Sequence, residues 1–143
     1  MASCVFCDIV AGDSPASIVY RDDSCVAVLD ICPVNVGHTL VIPVRHATYL
    51  ADLDPEDGRA VFALAQKLSQ AIRRSGLKAE GVNLLLADGE AAGQEIFHVH
   101  LHVLPHFTGD GFGHTFSPDY GRCPPREELD ATARVIRNAL ERS

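Results

Sequence analysis

Three histidines alternate with aliphatic residues in one strand-length run, Gly93–Pro105, whose centre reads His98-Val99-His100-Leu101-His102. In an extended strand successive side chains point to opposite faces, so the three imidazoles are predicted to share one face. Imidazole can attack an electrophile, carry a proton or bind a metal ion near neutral pH. The spacing therefore predicts a chemical site, and a three-histidine metal centre or a solvated row of polar side chains are the alternatives.

A second group of candidate ligands is the pair Cys4-x-x-Cys7 near the start of the chain. Thiolates combined with imidazoles are the ligands that zinc prefers, and such a pair supplies half of a tetrahedral site. Two histidines must complete it, and the chain offers His46 and one member of the triplet. A redox pair or two buried thiols remain alternatives.

The elements that must position these residues follow from local patterns. Strands are predicted over Ile18–Arg21, Cys25–Asp30, His38–Ile42 and Val82–Ala87, and in the histidine run. Asp54-Pro55-Glu56-Asp57 begins a helix that is predicted to end at Gly76, because a capping Asp, a first-turn Pro and acids open it and Gly closes it. The order predicts an α+β fold: an antiparallel sheet of about five strands, one long central helix and a C-terminal helix.

The end of the chain divides into a loop and a helix. Residues 106–125 are rich in Gly and Pro and are predicted to form a long irregular loop. Residues 125–142 are predicted to form an amphipathic helix, with Leu129, Ala133, Ile136 and Leu140 on one side. Together with the preceding elements they are predicted to belong to a single domain over residues 1–143.

Composition excludes several classes of protein. The net charge of −7 disfavours general nucleic-acid binding, which needs a basic surface patch. No apolar run approaches the roughly 20 residues that span a bilayer, and no secretory signal opens the chain, so we expect no membrane partner and a cytoplasmic location. Five cysteines are an odd number without a framework pattern, which argues against a disulfide scaffold.

Three segments together resemble the histidine triad (HIT) family. The run His98–Leu104 matches its signature of His alternating with aliphatic residues, Gly37–His46 is similar to its second block, and Asp88–Gln94 is similar to the approach to the triad. With Cys4-x-x-Cys7, the chain is similar to the zinc-containing bacterial-type branch. The resemblance implies a HIT-like fold and nucleotidyl transfer.

The family's reaction implies a role for two of the histidines. By this match, His100 attacks the α-phosphorus of a nucleoside 5′-phosphoramidate or dinucleoside polyphosphate, and water then hydrolyses the nucleotidyl-histidine. Neutral imidazole suits that attack, and its second ring nitrogen then needs an acceptor, for which a backbone carbonyl is expected. His102 matches the residue that contacts the phosphate and the leaving-group side. A nucleotide-binding regulatory module with only incidental hydrolysis is the alternative, encouraged by Ala87, where relatives often carry an amide.

The resemblance also implies contacts to a purine nucleotide that contains AMP. Asp30 matches a ribose-binding residue, although a turn-capping Asp is the competing interpretation. The base is predicted to lie in an apolar pocket, although ordinary core packing explains the same residues, which are Phe6, Ile9, Val28 and Ile31. Gln94 matches a phosphate contact, with an exposed loop amide as the alternative, and His38 matches a histidine that supports the triad.

Glu95 departs from the pattern, since relatives carry Ser or Thr there. If buried, its carboxylic acid could protonate a leaving amine or alcohol; otherwise it is a solvated rim residue.

The zinc-containing relatives imply the complete ligand set Cys4, Cys7, His46 and His98. Four protein ligands close a zinc site, so this Zn²⁺ is predicted to be structural. A two-fold homodimer is implied by the same resemblance.

Overall fold

The structure, a computed structural model, describes residues 3–142 and divides into two compact units, the first ending at Asp110 and the second beginning at Gly111. The first unit contains helices α1 (Val5–Ala11) and α2 (Pro55–Arg74) and strands β1 (Ile18–Arg21), β2 (Cys25–Leu29), β3 (Thr39–Pro43), β4 (Gly81–Leu85) and β5 (Leu101–His106). Every paired strand is antiparallel, and the sheet order is β1-β2-β3-β5-β4. This architecture confirms the predicted α+β class and five-stranded sheet.

Helix α2 begins and ends where its sequence predicts. The Asp54 side chain accepts a hydrogen bond from the Glu56 N–H, Pro55 fills the first helical position, and the chain turns away at Gly76 with φ +87°. One face of the helix is buried against the sheet through Val61, Leu64, Ala65, Leu68 and Ile72. Burying such side chains is worth about 1.5–3 kcal/mol each, so this face anchors the sheet from one side.

The histidine side of the sheet is the face opposite the one that packs against α2. Along β5, Leu101 and Val103 belong to the core under α2, so the intervening His102 points the other way. Its cross-strand neighbour Leu40 belongs to a second core on that side. This second core, which includes residues of the short helix α1, consists of Phe6, Ile9, Val26, Val28, Leu40 and Ile42.

The prediction that the histidine run is one strand was wrong. Strand β5 begins only at Leu101, so His98 and His100 precede it. The β3–β5 ladder covers three residue pairs, and β3 closes with Pro43, which has no N–H to donate. Upstream of β5 the chain is instead held by the Val99 N–H, which donates to the Ala47 carbonyl at 2.8 Å.

The second unit contains helix α3 (Arg126–Glu141), close to its predicted bounds, while residues 111–125 form neither helix nor strand. The predicted loop begins later than expected, since His106 completes β5. No residue of α3 is buried. None of the helices within residues 3–142 combines the length and apolar composition that crossing a bilayer requires. The single domain over residues 1–143 stays a prediction, and its residues 1, 2 and 143 lie outside the described part.

Candidate active site and metal site

His100 is held in one orientation by the chain immediately before it. Its Nδ1 lies 2.8 Å from the carbonyl oxygen of His98, which confirms the predicted backbone acceptor. A carbonyl only accepts, so Nδ1 carries the hydrogen and Nε2 keeps its lone pair. The Phe6 ring packs edge-on against the imidazole, with 4.9 Å between ring centroids, and the residue is only 8% exposed. The geometry thus presents one unprotonated nitrogen on a fixed ring.

Two successive hydrogen bonds fix His102 in the tautomer opposite to that of His100, with its hydrogen on Nε2. The Val34 N–H donates to His38 Nδ1 at 3.1 Å, so the hydrogen of His38 lies on Nε2. That nitrogen lies 2.9 Å from His102 Nδ1, which must therefore accept, leaving the hydrogen of His102 on its own Nε2. The His100 and His102 rings are 4.9 Å apart between centroids. Neighbouring rings thus offer a lone pair and an N–H.

The electrostatics keep these three rings uncharged near neutral pH. Burial lowers the pKa of His100 and of His38 below the ordinary 6.5. Burial, and then the neighbouring His100 and His38, lower the pKa of His102 to about 4. The carboxylate of Asp30 opposes all three shifts but does not reverse them. A neutral imidazole is the form that can attack an electrophile through one nitrogen and donate a hydrogen bond from the other.

The metal cluster predicted from the resemblance is assembled in the first unit. The Cys4 Sγ lies 3.3 Å from His98 Nδ1, the Cys7 Sγ lies 3.3 Å from His46 Nδ1, and the two Nδ1 atoms are 3.1 Å apart. All four ligand atoms lie within 4.8 Å of one another. A tetrahedron with zinc–ligand bonds of about 2.0–2.3 Å has edges of about 3.3–3.8 Å, so the donor set fits zinc in both chemistry and spacing.

The outer nitrogens of both ligand histidines are already engaged. His98 Nε2 lies 2.9 Å from the Pro43 carbonyl, and His46 Nε2 lies 3.3 Å from Thr48 Oγ1. The Pro43 carbonyl only accepts, so the lone pair of His98 Nδ1 is left for the cluster, and the Thr48 hydroxyl can accept from His46 Nε2 in the same way, as outer partners of metal-bound histidines commonly do. Burial, and then the hydrogen bond and charge of Cys4, raise the pKa of the Cys7 thiol to about 11, so a bound cation is what would favour paired thiolates here.

Asp30 has two partners that correspond to its two interpretations. One carboxylate oxygen accepts from the Cys32 N–H at 2.8 Å, which is the turn-capping contact. The other lies 3.6 Å from His38 Nε2, beside the His38–His102 pair. The carboxylate therefore caps a turn and also borders the histidines, and ribose binding stays a prediction.

The residues predicted to hold the base do not form one enclosed pocket. Phe6, Ile9 and Val28 are 4%, 9% and 2% exposed and belong to the second core, so core packing accounts for them. Ile31 is 93% exposed and is not part of that core. Base binding by these residues stays a prediction.

Gln94 and Glu95 lie in very different environments. Gln94 is only 4% exposed; its Oε1 accepts from the Gly89 N–H at 2.7 Å and its Nε2 donates to the Thr48 carbonyl at 2.8 Å. The interpretation as an exposed loop amide was wrong, because this side chain joins two backbone segments. Glu95 is exposed, so the burial on which its role as a proton donor depended is not met in this chain.

Sequence reasoning missed a polar network behind the triad. Asp110 Oδ2 accepts from Asn35 Nδ2 at 2.8 Å and lies 2.8 Å from His106 Nδ1. It ties the segment before His38 to the end of β5. Asn35 is distant in sequence from the other two residues, and only the fold reveals that they meet.

Comparison with known proteins agrees with this geometry. Residues 11–109 match the HIT domain family model. A curated relative is an uncharacterized HIT-like protein of Mycobacterium tuberculosis (strain ATCC 25618 / H37Rv), 44% identical over 137 residues, which are 96% of this chain and 92% of that protein. Adenylylsulfatase HINT3 of Arabidopsis thaliana is 40% identical over 102 residues, 71% of this chain and 51% of that protein. A crystal structure of a Zn-bound histidine triad family protein from Mycobacterium smegmatis is 43% identical, with a TM-score of 0.75 over 97% of this chain and 96% of that one.

Proposed function

The chain belongs to the HIT domain family, and on that premise we propose that it is a nucleotide hydrolase or nucleotidyl transferase that forms a covalent nucleotidyl-His100 intermediate. The observation that carries this proposal is the pair of adjacent rings with opposite hydrogen-bonding states: an acceptor at His100 Nε2 and a donor at His102 Nε2. A nucleophile beside a hydrogen-bond donor that can stabilise developing negative charge is suited to displacing a leaving group from phosphorus.

In the first step, the lone pair of His100 Nε2 forms a bond to the α-phosphorus while the bond to the leaving group breaks. The N–H of His102 Nε2 donates a hydrogen bond to the departing nitrogen or oxygen; a polyphosphate leaves as its anion, and a departing amine takes its proton from the solvent. The resulting imidazolium of His100 carries a positive charge, which the His98 carbonyl and the Asp30 carboxylate stabilise electrostatically.

In the second step, water adds to the same phosphorus and the bond from phosphorus to Nε2 breaks. The attacking water releases a proton to the solvent as its oxygen bonds to phosphorus, and the electron pair of the broken bond returns to His100 Nε2. The products are a nucleoside monophosphate and the regenerated neutral rings. His38 keeps the two nitrogens of His102 in their required roles throughout.

The proposed substrate is a purine nucleotide that contains AMP: a nucleoside 5′-phosphoramidate or a dinucleoside polyphosphate. The name of the Arabidopsis relative, adenylylsulfatase, supports an adenylyl compound with an exchangeable leaving group. Asp30 would bind the ribose diol, Ile31 with Phe6, Ile9 and Val28 would line the base side, and Gln94 would hold the loop beside the phosphate.

Zinc would be held by Cys4, Cys7, His46 and His98 and would supply structural cross-linking rather than reaction chemistry. All four ligands come from the protein, which leaves no position for water. His98 belongs to this set and its carbonyl also orients His100, so the cluster would position the nucleophile.

A homodimer is part of the proposal, and exposed apolar side chains support it. Strand β4 is an edge of the sheet, and there Leu84 and Leu85 are exposed, as is Phe62 on the neighbouring helix α2. We expect Phe62→Glu to shift the protein from dimer to monomer in size-exclusion chromatography with light scattering, because a charge in an apolar interface is costly. Val19→Glu, on the other edge strand, is the matched control and should remain dimeric. A wild-type monomer, or a dimer unaffected by Phe62→Glu, would refute this interface.

The pH dependence of activity should follow the lowered pKa of His100. The reaction needs this ring uncharged, so kcat/KM should stay level as pH falls through 6.5 and decline only below it. Asp30 raises the pKa of His100, so Asp30→Asn should move the acid limb to lower pH, whatever it does to the maximal rate. The profile is measured at constant zinc content. An acid limb at or above pH 6.5, or one that moves upward in the variant, would contradict the assignment.

The alternative is a regulatory module that binds nucleotides and hydrolyses them only incidentally, which the alanine at position 87 favours. Steady-state turnover against adenosine 5′-phosphoramidate and diadenosine polyphosphates separates the two, since a binder would saturate without sustained product release. A three-histidine metal hydrolase is a further alternative and requires chelator-sensitive activity with a metal on His100. A cytoplasmic location stays a prediction from the sequence.

A further inference from the structure

Helix α3 carries an apolar stripe whose spacing differs from that of an ordinary surface helix. The stripe residues follow one another at intervals of four, three and four, and they are Leu129, Ala133, Ile136 and Leu140. At about 100° per residue they fall within about 60° of one another. Such a narrow seam is typical of a helix that pairs with one other helix rather than one that covers a sheet.

The seam is exposed in the second unit. Leu129 is 42% exposed, Ile136 is 63% exposed and Leu140 is 71% exposed, and no residue of the helix is buried. Large apolar side chains arranged contiguously on a surface usually mark a contact with another protein.

The charges beside the seam identify the partner. Asp130 and Arg137 both lie about 90° from the seam on the same flank, one near each end of the helix. When two copies of this helix run antiparallel, Leu129 meets Leu140 and Ala133 meets Ile136. In that same register Asp130 of each copy faces Arg137 of the other, so one alignment satisfies the apolar layers and both ion pairs. In a parallel pair the flank that carries Asp130 and Arg137 faces the opposite flank of the other copy, so neither ion pair forms.

We propose that α3 is an association helix that pairs antiparallel with α3 of a second copy of this chain. The contact is isologous: position 129 of one copy meets position 140 of the other, and position 140 of the first meets position 129 of the second. It goes beyond the proposed function, because no residue of the nucleotide or metal site takes part. A pair of helices of 16 residues each buries less than a standard interface, so covalent trapping is a sharper readout than molecular size.

The test uses two forms of the full chain that each carry one introduced cysteine, Leu129→Cys or Leu140→Cys, and both also carry Cys32→Ser and Cys123→Ser to remove the exposed native thiols. The two proteins are distinguished by mass, mixed at equal concentration and oxidised mildly. We expect the mixed 129–140 disulfide to exceed the 129–129 disulfide at least tenfold, because the two copies of position 129 lie about 16 Å apart along an antiparallel pair. Val135→Cys, equally exposed but on the other side of the helix, is the control and should not cross-link with Leu140→Cys.

A charge exchange tests the register independently. Asp130→Arg should lower the yield of the mixed disulfide roughly threefold to tenfold, and Asp130→Arg combined with Arg137→Asp should restore it. A predominant 129–129 product, no cross-link at all, or a double variant as weak as Asp130→Arg would overturn the proposal. The absence of any cross-link would mean that another surface covers the seam.

Discussion

Replacement of His100 by alanine is expected to reduce steady-state hydrolysis of adenosine 5′-phosphoramidate by at least about 10⁴-fold, because the nucleophile itself is lost. Its Nε2 is unprotonated and has no partner among the described hydrogen bonds, whereas the unprotonated nitrogen of His102 is Nδ1, which accepts from His38, so His102 cannot substitute for His100 without breaking that bond. Zinc content and the unfolding temperature should change little, since the side chain of residue 100 is not a ligand of the metal cluster. Turnover is measured together with metal content and thermal unfolding.

Two variants make the His100 experiment specific. His114→Ala, an exposed histidine outside the proposed site, is the matched control and should keep wild-type turnover. His100→Gly should regain part of the activity when imidazole is added, because free imidazole can enter the space and attack phosphorus. Substantial turnover by His100→Ala would end the assignment of the nucleophile.

Loss of the metal cluster is the second large effect. Cys4→Ser removes one of four ligands, and we expect zinc content to fall well below one ion per chain and the unfolding temperature to drop on the order of 10 °C. The reason is that metal binding links three separate segments, which carry Cys4 and Cys7, His46, and His98. Zinc is measured by elemental analysis and stability by thermal unfolding.

The matched control for the zinc experiment is Cys32→Ser. Cys32 is exposed and lies outside the cluster, so its replacement should leave zinc content and unfolding temperature unchanged. Activity of Cys4→Ser should fall less than that of His100→Ala, since the carbonyl of His98 would be displaced rather than removed. A Cys4→Ser protein with full zinc content would reject the ligand set.

The sequence was sufficient to predict those features that depend on local patterns. Helix α2 follows from the Asp54–Pro55 start and the apolar row, and the first strand follows from its Ile, Val and Tyr residues and the polar turn after it. The metal cluster was predictable because its residue types are specific to zinc and the resemblance supplied the histidines. The acceptor for His100 followed from the chemistry of its ring.

What could not be predicted depends on contacts between distant segments. The histidine run lacks full strand pairing because β3 ends at Pro43 and the preceding chain bonds elsewhere, which alternation alone does not reveal. The burial of Gln94 depends on the position of Thr48, and the state of His102 depends on a backbone N–H at Val34. Such partners have no signature in a sequence.

The most direct test of the account is to detect the covalent intermediate. The protein is mixed rapidly with adenosine 5′-phosphoramidate, quenched in alkali, which preserves phosphorus–nitrogen bonds, and digested for mass spectrometry. We predict an adenylyl group on the peptide that contains His100, located on that residue and absent from His100→Ala. An enzyme that turns over rapidly while adenylyl is found on no residue, or on a residue other than His100, would show that the two rings do not act as described.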